Sequence, residues 1–203
     1  MISKPADWGD HIHLTGYWFP SQRTNFQPSA QLTAFLQAGA QPISIGFGSM
    51  IGPYLQATLD VLPAAIRQAG VRAVLIAHWE GISAAHLPEH VFLLDQVPHD
   101  WLFPQMAATI HHGGAGTAGA SLRAGIPTVV VPFLSGTDQA FWGKRVAALG
   151  VGPNPIPFTR LTAASLALAI RQAVSDETMR KKAAQIGQRI RAEDGIGNGK
   201  GSG

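Results

Sequence analysis

The sequence predicts an α/β domain with a doubly wound parallel sheet of about six strands. Three observations lead to this fold class. Short runs of apolar residues recur along the chain, segments with helical spacing of apolar residues separate them, and glycine-rich turns join several runs to the following helix. Apolar runs without polar alternation indicate strands that are buried on both faces, as in a parallel sheet covered by helices.

Six segments are predicted as strands. The first is apolar and ends in the turn Phe47-Gly48-Ser49. The last is assigned to an edge of the sheet, because Pro153 and Pro155 lack the N–H donors that a central strand needs. The predicted strands are 42–46, 71–77, 91–94, 108–111, 128–131 and 151–156.

Helices are predicted from the spacing of apolar residues and from residues that begin or end helices. In 54–69, apolar Leu55, Leu59, Leu62 and Ile66 recur at helical spacing, and the pattern stops at Gly70. The other predicted helices are 117–124 and 141–149, which end at Gly125 and Gly150, 163–174, which Thr162 caps, and a last helix capped by Ser175, with Asp176 and Glu177 in its first turn.

The 203 residues are sufficient for one well-packed domain. We assign residues 36–194 to this domain and residues 1–35 to an entry segment, because 1–35 does not follow the strand–helix alternation. The glycine-rich tail 195–203 is predicted to be disordered.

Composition excludes several functions. Only 13% of the residues are charged, and the Lys and Arg residues cluster only near the C-terminus, so no nucleic-acid-binding face is expected. Cysteine is absent, which rules out disulfides and thiolate chemistry and fits a cytoplasmic location. The apolar runs are shorter than the ~20 residues of a transmembrane segment, and we expect none.

The most informative turn is Ile110-His111-His112-Gly113-Gly114-Ala115-Gly116-Thr117, between a predicted strand and a predicted helix. Glycines allow close approach of a ligand to the backbone, and the helix N-terminus offers free N–H groups, so the turn is suited to a diphosphate. The alternative is a tight turn whose glycines serve packing. The turn matches neither the P-loop nor the dinucleotide-binding fingerprint.

Two further loops are candidates for the same site. Gly46-Phe47-Gly48-Ser49 follows the first strand, so that Gly48 and Ser49 could bind the diphosphate from the opposite side. Asp138 and Gln139 follow the fifth strand and carry the donors and acceptors that sugar hydroxyls need. The alternative for Asp138 is a helix cap.

A metal site is not expected. The sequence contains no Asp-x-Asp and no His-Glu-x-x-His motif, and His78, His86, His90 and His99 do not show the spacing of metal ligands. The charge of a leaving diphosphate would therefore be met by the helix N-terminus, His112 and Thr117. No cofactor and no metal are predicted.

The motif GFGSM at 46–50, and the stretch 95–162 with HHGGAGT followed by a proline and Asp-Gln, resemble the C-terminal domain of the UDP-glycosyltransferases. The resemblance is greatest to their sterol 3-beta-glucosyltransferase-like branch and extends from about Asp7 to about Gly197. It implies a Rossmann-like domain, one lobe of a two-lobed GT-B fold. In such enzymes the other lobe binds the acceptor.

The resemblance also implies roles for individual residues. His112, assisted by Gly48, Ser49, Gly113, Gly114, Gly116 and Thr117, would bind the diphosphate of a UDP-sugar. Gln96 and Val97 would receive the base, and Asp138 and Gln139 would hold the hexose, which is glucose in this branch. No catalytic residue is expected in this chain, because the family's general base, a histidine, belongs to the acceptor lobe.

We therefore expect the donor-binding half of an inverting, metal-independent glycosyltransferase that acts on a sterol-like or other lipophilic hydroxyl. Its partners would be a nucleotide sugar and a separate N-terminal acceptor lobe, without which the isolated chain would be inactive. Self-association through the exposed interlobe surface is also expected. The alternatives are a non-catalytic nucleotide-binding module that acts as a partner or regulator, and a different GT-B enzyme such as a sugar-nucleotide epimerase.

Overall fold

A parallel sheet of five strands forms the centre of the domain. The computed structural model describes residues 2, 4–19, 25–48, 54–77 and 87–200. Within these residues the sheet order is β3-β2-β1-β4-β5, and all neighbouring strands are parallel. The strands are β1 Ile43–Gly46, β2 Ala73–Ile76, β3 Val91–Leu94, β4 Thr109–His111 and β5 Thr128–Val130.

Helices cover both faces of the sheet, which confirms the predicted fold class. The described helices are α1 Ala30–Gln37, α2 Leu55–Ala69, α3 His99–Leu102, α4 Ala115–Ala124, α5 Asp138–Ala148, α6 Ala163–Ser175, α7 Glu177–Ala192 and α8 Gly195–Lys200. Successive residues of a strand point to opposite faces, and β5 shows this clearly. Val129 packs with the α2 and α6 side chains, whereas Val130 packs with Leu122 of α4 and Val146 of α5.

The strand order reverses between β1 and β4. The chain proceeds outward from β1 through β2 to β3, returns across the sheet to β4 beside β1, and then continues to β5. The helices after β1 and β4 therefore leave on opposite faces, and a crevice opens between the carboxyl ends of these two strands. The two predicted diphosphate loops follow β1 and β4, so the fold places both at this crevice.

The predicted sixth strand, 151–156, is not a strand of the sheet. The segment lies beside β5, since Thr128 N donates to Val151 O over 3.0 Å and Ile156 N donates to Val130 O over 3.0 Å. Between these two bonds Pro153 and Pro155 have no N–H to donate, so the ladder is interrupted.

Helix ends follow the predicted chemistry with one correction. Gly70 and Gly125 end α2 and α4 in the left-handed conformation, at φ +68° and +79°. Thr162 begins α6 with a capping box. The N-cap of α7 is Asp176, whose side chain accepts from Met179 N, and not Ser175. Ser175 is still helical and its hydroxyl donates to Arg171 O.

Described residues near both ends of the chain form regular structure or pack on the domain. The tail forms α8 over 195–200, where Asp194 Oδ1 accepts from Gly197 N over 2.8 Å. In the entry segment, Tyr17 packs on Trp142 of α5, at a ring-centroid distance of 6.0 Å. Helix α1 begins at Ala30 and crosses the predicted boundary between entry segment and domain.

Candidate functional site

A cavity of about 360 Å³ lies at the crevice between β1 and β4. Its walls come from the carboxyl ends of β1, β2 and β4, from the segment after β3, and from the first turn of α4. The lining residues are Ser44, Gly46, Gly48, Ile76, Asp95, Gln96, His99, Phe103, Thr109, Ile110, His111, His112 and Thr117. Four of the predicted site residues, Gly48, Gln96, His112 and Thr117, are among them.

The loop after β1 passes directly beside His112. Gly48 has φ +56°, which favours glycine, and a Cβ added there would lie 3.7 Å from His112 Cε1. Phe47 is fully buried in the core and anchors the loop. Ser49, the other predicted residue of this loop, lies outside the described residues.

Helix α4 begins at the cavity with its backbone donors uncapped. Its N-cap is Gly114, which has no side chain to accept a hydrogen bond from the first turn. The N–H groups of Ala115, Gly116 and Thr117 have no acceptor within the helix, because the first turn of any α-helix lacks them. The helix dipole adds partial positive charge here, so the turn is suited to an anion.

The three glycines of this turn have different surroundings. Gly113 serves packing: a Cβ there would lie 2.7 Å from Gln139 O and 2.8 Å from Val130 Cγ1, and its φ is +97°. At Gly114 an added Cβ would meet His112 Nε2 at 2.6 Å, so this glycine makes room for the imidazole. Only Gly116 faces open space, with no atom within 4 Å of an added Cβ. The packing interpretation therefore holds for Gly113, while Gly116 leaves room for a ligand.

The side chain of His112 is half-buried at the cavity, and one of its ring nitrogens lacks a hydrogen-bond partner among the described residues. Its Nδ1 is buried and has no hydrogen-bond partner in the described structure. Burial lowers the pKa of His112 below its ordinary value, and the negative charge of Asp138 partly opposes this shift. His112 is therefore a neutral imidazole at pH 7 with a free polar atom.

His111, the last residue of β4, is fully buried and was not predicted as a site residue. Its Nδ1 accepts from Gly113 N over 2.9 Å. Burial, and secondarily His112 and His99, lower the pKa of His111 to about 3. Its Nε2 has no partner among the described residues, and an unpaired buried donor costs about 1–3 kcal/mol.

Below the histidines, three buried hydroxyls tie β4, α4 and β5 together. Thr109 Oγ1 lies 2.5 Å from Ser121 Oγ and 3.2 Å from Thr128 Oγ1, and Ser121 Oγ lies 2.5 Å from Thr128 Oγ1. Each hydroxyl can donate once and accept, so the triangle is internally satisfied. It holds α4 against the sheet at Ser121, in the C-terminal half of the helix, and Thr109 of the triangle also lines the cavity.

The segment after β3 forms the opposite wall. Gln96 is exposed and lines the cavity, whereas Val97 packs on the apolar cluster of Val74, Leu102 and Phe103. His99 stacks on Phe103, with ring centroids 4.4 Å apart and planes 13° from parallel. Burial lowers the pKa of His99, and Asp100 partly opposes it. Sequence reasoning missed His99 and Phe103, because a single histidine without ligand spacing carries no signal.

Asp138 and Gln139 do not line the cavity. Gln139 is buried, and its Oε1 accepts from Phe133 N over 2.9 Å and from Leu134 N over 3.3 Å. The amide therefore holds the loop between β5 and α5. Asp138 is exposed in the first turn of α5, close enough to influence His112.

In the described ranges, no three histidine, aspartate or glutamate side chains come together in a way that could hold a metal ion. None of the described helices has the length and apolar character to cross a membrane.

Known proteins are similar to this chain in sequence and in architecture. Residues 64–194 match the family described as the erythromycin biosynthesis protein CIII-like C-terminal domain. A sterol 3-beta-glucosyltransferase of Arabidopsis thaliana is 37% identical over 97% of this chain, and one of Aspergillus terreus is 41% identical over 97%. The chain spans 32% and 14% of the lengths of these two relatives.

Solved structures agree on the fold. Glycosyltransferase VinC in complex with dTDP superposes with a TM-score of 0.64 at 26% identity, over 78% of this chain and 40% of VinC. UDP-glucose:anthocyanidin 3-O-glucosyltransferase in complex with UDP gives a TM-score of 0.68 over 83% of this chain and 40% of that enzyme, and its 16% identity supports the fold alone. These matches confirm one lobe of a GT-B fold. The chain belongs to the erythromycin biosynthesis protein CIII-like C-terminal domain family of glycosyltransferases.

Proposed function

We propose that this domain binds the nucleotide-sugar donor of an inverting, metal-independent glycosyltransferase. The observation that carries the proposal is the cavity between β1 and β4, where the uncapped N-terminus of α4 meets the imidazole of His112, whose buried Nδ1 has no partner among the described residues. The dTDP complex of VinC, which is 26% identical to this chain, supports a nucleoside diphosphate as the ligand class. The resemblance of the turn to the UDP-glycosyltransferases favours UDP as the nucleotide, with dTDP as the alternative.

In the proposed complex the diphosphate lies over the first turn of α4. The N–H groups of Ala115 and Gly116, the hydroxyl of Thr117 and the imidazole of His112 donate to its oxygens. Gly48 lines the cavity beside His112, and Gly113 and Gly114 shape the turn. From the sequence we also propose a contact of Ser49, which lies outside the described residues. The base lies against Gln96 and Val97. This assignment needs no metal, because the fixed dipoles of the helix N–H groups and of the polar side chains stabilise the negative charge of the diphosphate.

The hexose, glucose by analogy with the sterol 3-beta-glucosyltransferases, would lie toward Asp138. The exposed carboxylate of Asp138 can accept from sugar hydroxyls. For Gln139 the remaining donor is its amide NH₂, since its Oε1 already accepts two backbone N–H groups. A sugar contact of Gln139 would therefore be made by nitrogen.

The reaction is a displacement at the anomeric carbon. A base in the acceptor lobe removes the proton of an acceptor hydroxyl, and the oxygen forms a bond to the anomeric carbon from the face opposite the diphosphate. The bond from that carbon to the diphosphate oxygen breaks, and its electron pair leaves with the diphosphate. The residues of this domain stabilise the departing charge, so no catalytic base is assigned to them.

Three further parts of the proposal concern partners and location. We assign residues 36–194 to the donor-binding domain and the preceding segment to the connection with an N-terminal acceptor lobe. The exposed Trp18, Leu134 and Phe141 would promote self-association of the chain alone, which light scattering tests. The absence of cysteine favours a reducing compartment, the cytoplasm.

The test is a calorimetric titration of the chain with UDP, UDP-glucose and dTDP, with and without Mg²⁺. We expect UDP and UDP-glucose to bind, with affinities that Mg²⁺ and EDTA leave unchanged. No binding of any of the three would reject the proposal, and binding only with Mg²⁺ would reject its metal-independent form. Binding of UDP without glucose transfer, after an acceptor lobe is supplied, would instead indicate a non-catalytic module.

A further inference from the structure

His111 stands at the centre of the crevice. It ends β4, and its register partners are Gly46 of β1 and Val130 of β5. Its side chain is 1% exposed, lines the cavity and lies next to the half-buried His112, at a ring-centroid distance of 6.4 Å. The roles assigned so far leave His111 without a function.

One hydrogen bond determines which nitrogen of His111 carries the proton. Gly113 N–H donates to Nδ1, so Nδ1 must be the acceptor and the proton of the neutral ring resides on Nε2. Because burial holds the pKa of this ring at about 3, the tautomer persists through the physiological pH range. The Nε2–H is thus a permanent donor, and it has no acceptor among the described residues.

A ligand oxygen in the cavity would supply the acceptor that this N–H lacks among the described residues. Buried donors in native structures are nearly always paired, and this one belongs to a residue that lines an open cavity. Across the same cavity, the α4 N-terminus and Thr117 also present donors. These donors converge on one side of a cavity whose lining also includes the carboxylate of Asp95, and they are complementary to ligand oxygens on that side.

We propose that His111 is an additional binding residue, which donates its Nε2–H to an oxygen of the nucleoside diphosphate. This inference rests on the proposed function, since it names a further contact of the same ligand. The proposal also gives the two consecutive histidines separate roles. His112 contacts the ligand at the half-buried entrance of the cavity, and His111 donates a hydrogen bond to it from the floor.

Two substitutions separate this contact from the support that His111 gives to the turn. His111→Asn places a carbonyl oxygen near the position of Nδ1, which retains the acceptor for Gly113 N–H and removes the distal donor. His111→Gln places an amide nitrogen near the position of Nε2, which retains the distal donor and removes the proximal acceptor. Thermal unfolding of both variants reports their folding separately from binding.

The affinity of the chain for UDP is measured by calorimetry. We expect His111→Asn to weaken UDP binding about tenfold, as for the loss of one hydrogen bond to a charged ligand. His111→Gln, the conservative variant for the contact, should bind UDP about tenfold more tightly than His111→Asn. Unchanged affinity in His111→Asn, or equal weakening in both variants, would overturn the proposal in favour of a role in the turn alone.

A second measurement uses the unmodified chain and does not depend on the variants folding. In a sample with ¹⁵N-labelled histidine, the Nε2–H resonance of His111 is identified because it is absent from the spectrum of His111→Gln. If that variant fails to fold, the resonance is identified by its slow exchange with solvent and by the ¹⁵N shifts of a neutral ring protonated on Nε2. Saturation with UDP should shift the resonance of this proton downfield. Separate titrations with pyrophosphate and with uridine then show whether the accepting oxygen belongs to the diphosphate or to the nucleoside. An unshifted resonance at saturation contradicts the proposal, whereas failure of the unmodified chain to bind UDP contradicts the proposed function itself.

Discussion

The turn between β4 and α4 and the loop between β5 and α5 look equivalent in the sequence, because each follows a buried strand and carries polar residues suited to a donor sugar. Their polar groups differ in the structure. In the first region, His111 Nε2 and His112 Nδ1 are buried and have no hydrogen-bond partner in the part of the chain that the structure describes. In the second, Gln139 Oε1 already accepts from Phe133 N and Leu134 N. Unused hydrogen-bonding capacity thus distinguishes the turn that we propose to bind the ligand from a polar loop whose side chain is used to hold its own backbone.

The two regions also touch, and Gly113 is the point of contact. Gly113→Ala would bring a Cβ to 2.7 Å from the backbone oxygen of Gln139, at a φ of +97°. We expect it to lower the free energy of unfolding by about 2–5 kcal/mol, the sum of backbone strain and overpacking. Urea unfolding measures this loss.

Gly116→Ala is the matched control for that substitution. It lies in the same turn but an added Cβ there meets no atom within 4 Å, so the unfolding free energy should change little. Equal stability of the two alanine variants would show that the regions are not coupled through Gly113.

Gln139→Leu tests the self-supporting character of the β5–α5 loop. The change leaves Phe133 N and Leu134 N without their acceptor, and we expect a loss of about 1–3 kcal/mol in the free energy of unfolding. Gln139→Glu retains an acceptor oxygen at that position and should lose less. Full stability of Gln139→Leu would mean that the loop does not depend on this amide.

His112→Ala tests whether the β4–α4 turn contributes more to ligand binding than to the stability of the fold. Removing a side chain with an unpaired buried nitrogen should cost little stability and should weaken UDP binding about tenfold, as calorimetry would show. The exposed His13 does not line the cavity, and His13→Ala is the control. If His112→Ala binds UDP as the unmodified chain does, the assigned contact is wrong.

The smallest expected effect is a pH dependence of binding. Burial lowers the pKa of His112 in the free domain, and a bound diphosphate would raise it, so binding takes up protons and affinity rises as the pH falls. UDP-glucose is the suitable ligand, because its diphosphate does not titrate near neutrality. Between pH 8 and pH 5.5 we expect an increase of roughly threefold. His112→Ala should abolish it, and a decrease toward low pH would contradict the assignment.

Much of this site was accessible from the sequence. The glycine-rich turn after the fourth strand and the loop after the first were predicted as neighbours, and Gly48, His112, Thr117 and Gln96 do line one cavity. The roles of His111, His99 and Gln139 were not accessible, because each depends on which donors and acceptors other parts of the chain have already used.

By itself the sequence determined the five strands of the sheet, the helices α2, α4, α5, α6 and α7, and the glycines that end α2 and α4, since apolar periodicity and glycine conformations are local properties. The tertiary structure decided what each polar group faces. Gly113 proved to be a packing position because Gln139 and Val130, distant along the chain, lie against it. The proline-containing segment 151–156 proved to lie beside β5 without joining the sheet. Hydrogen-bond satisfaction and close packing are relations between distant segments, and no local pattern encodes them.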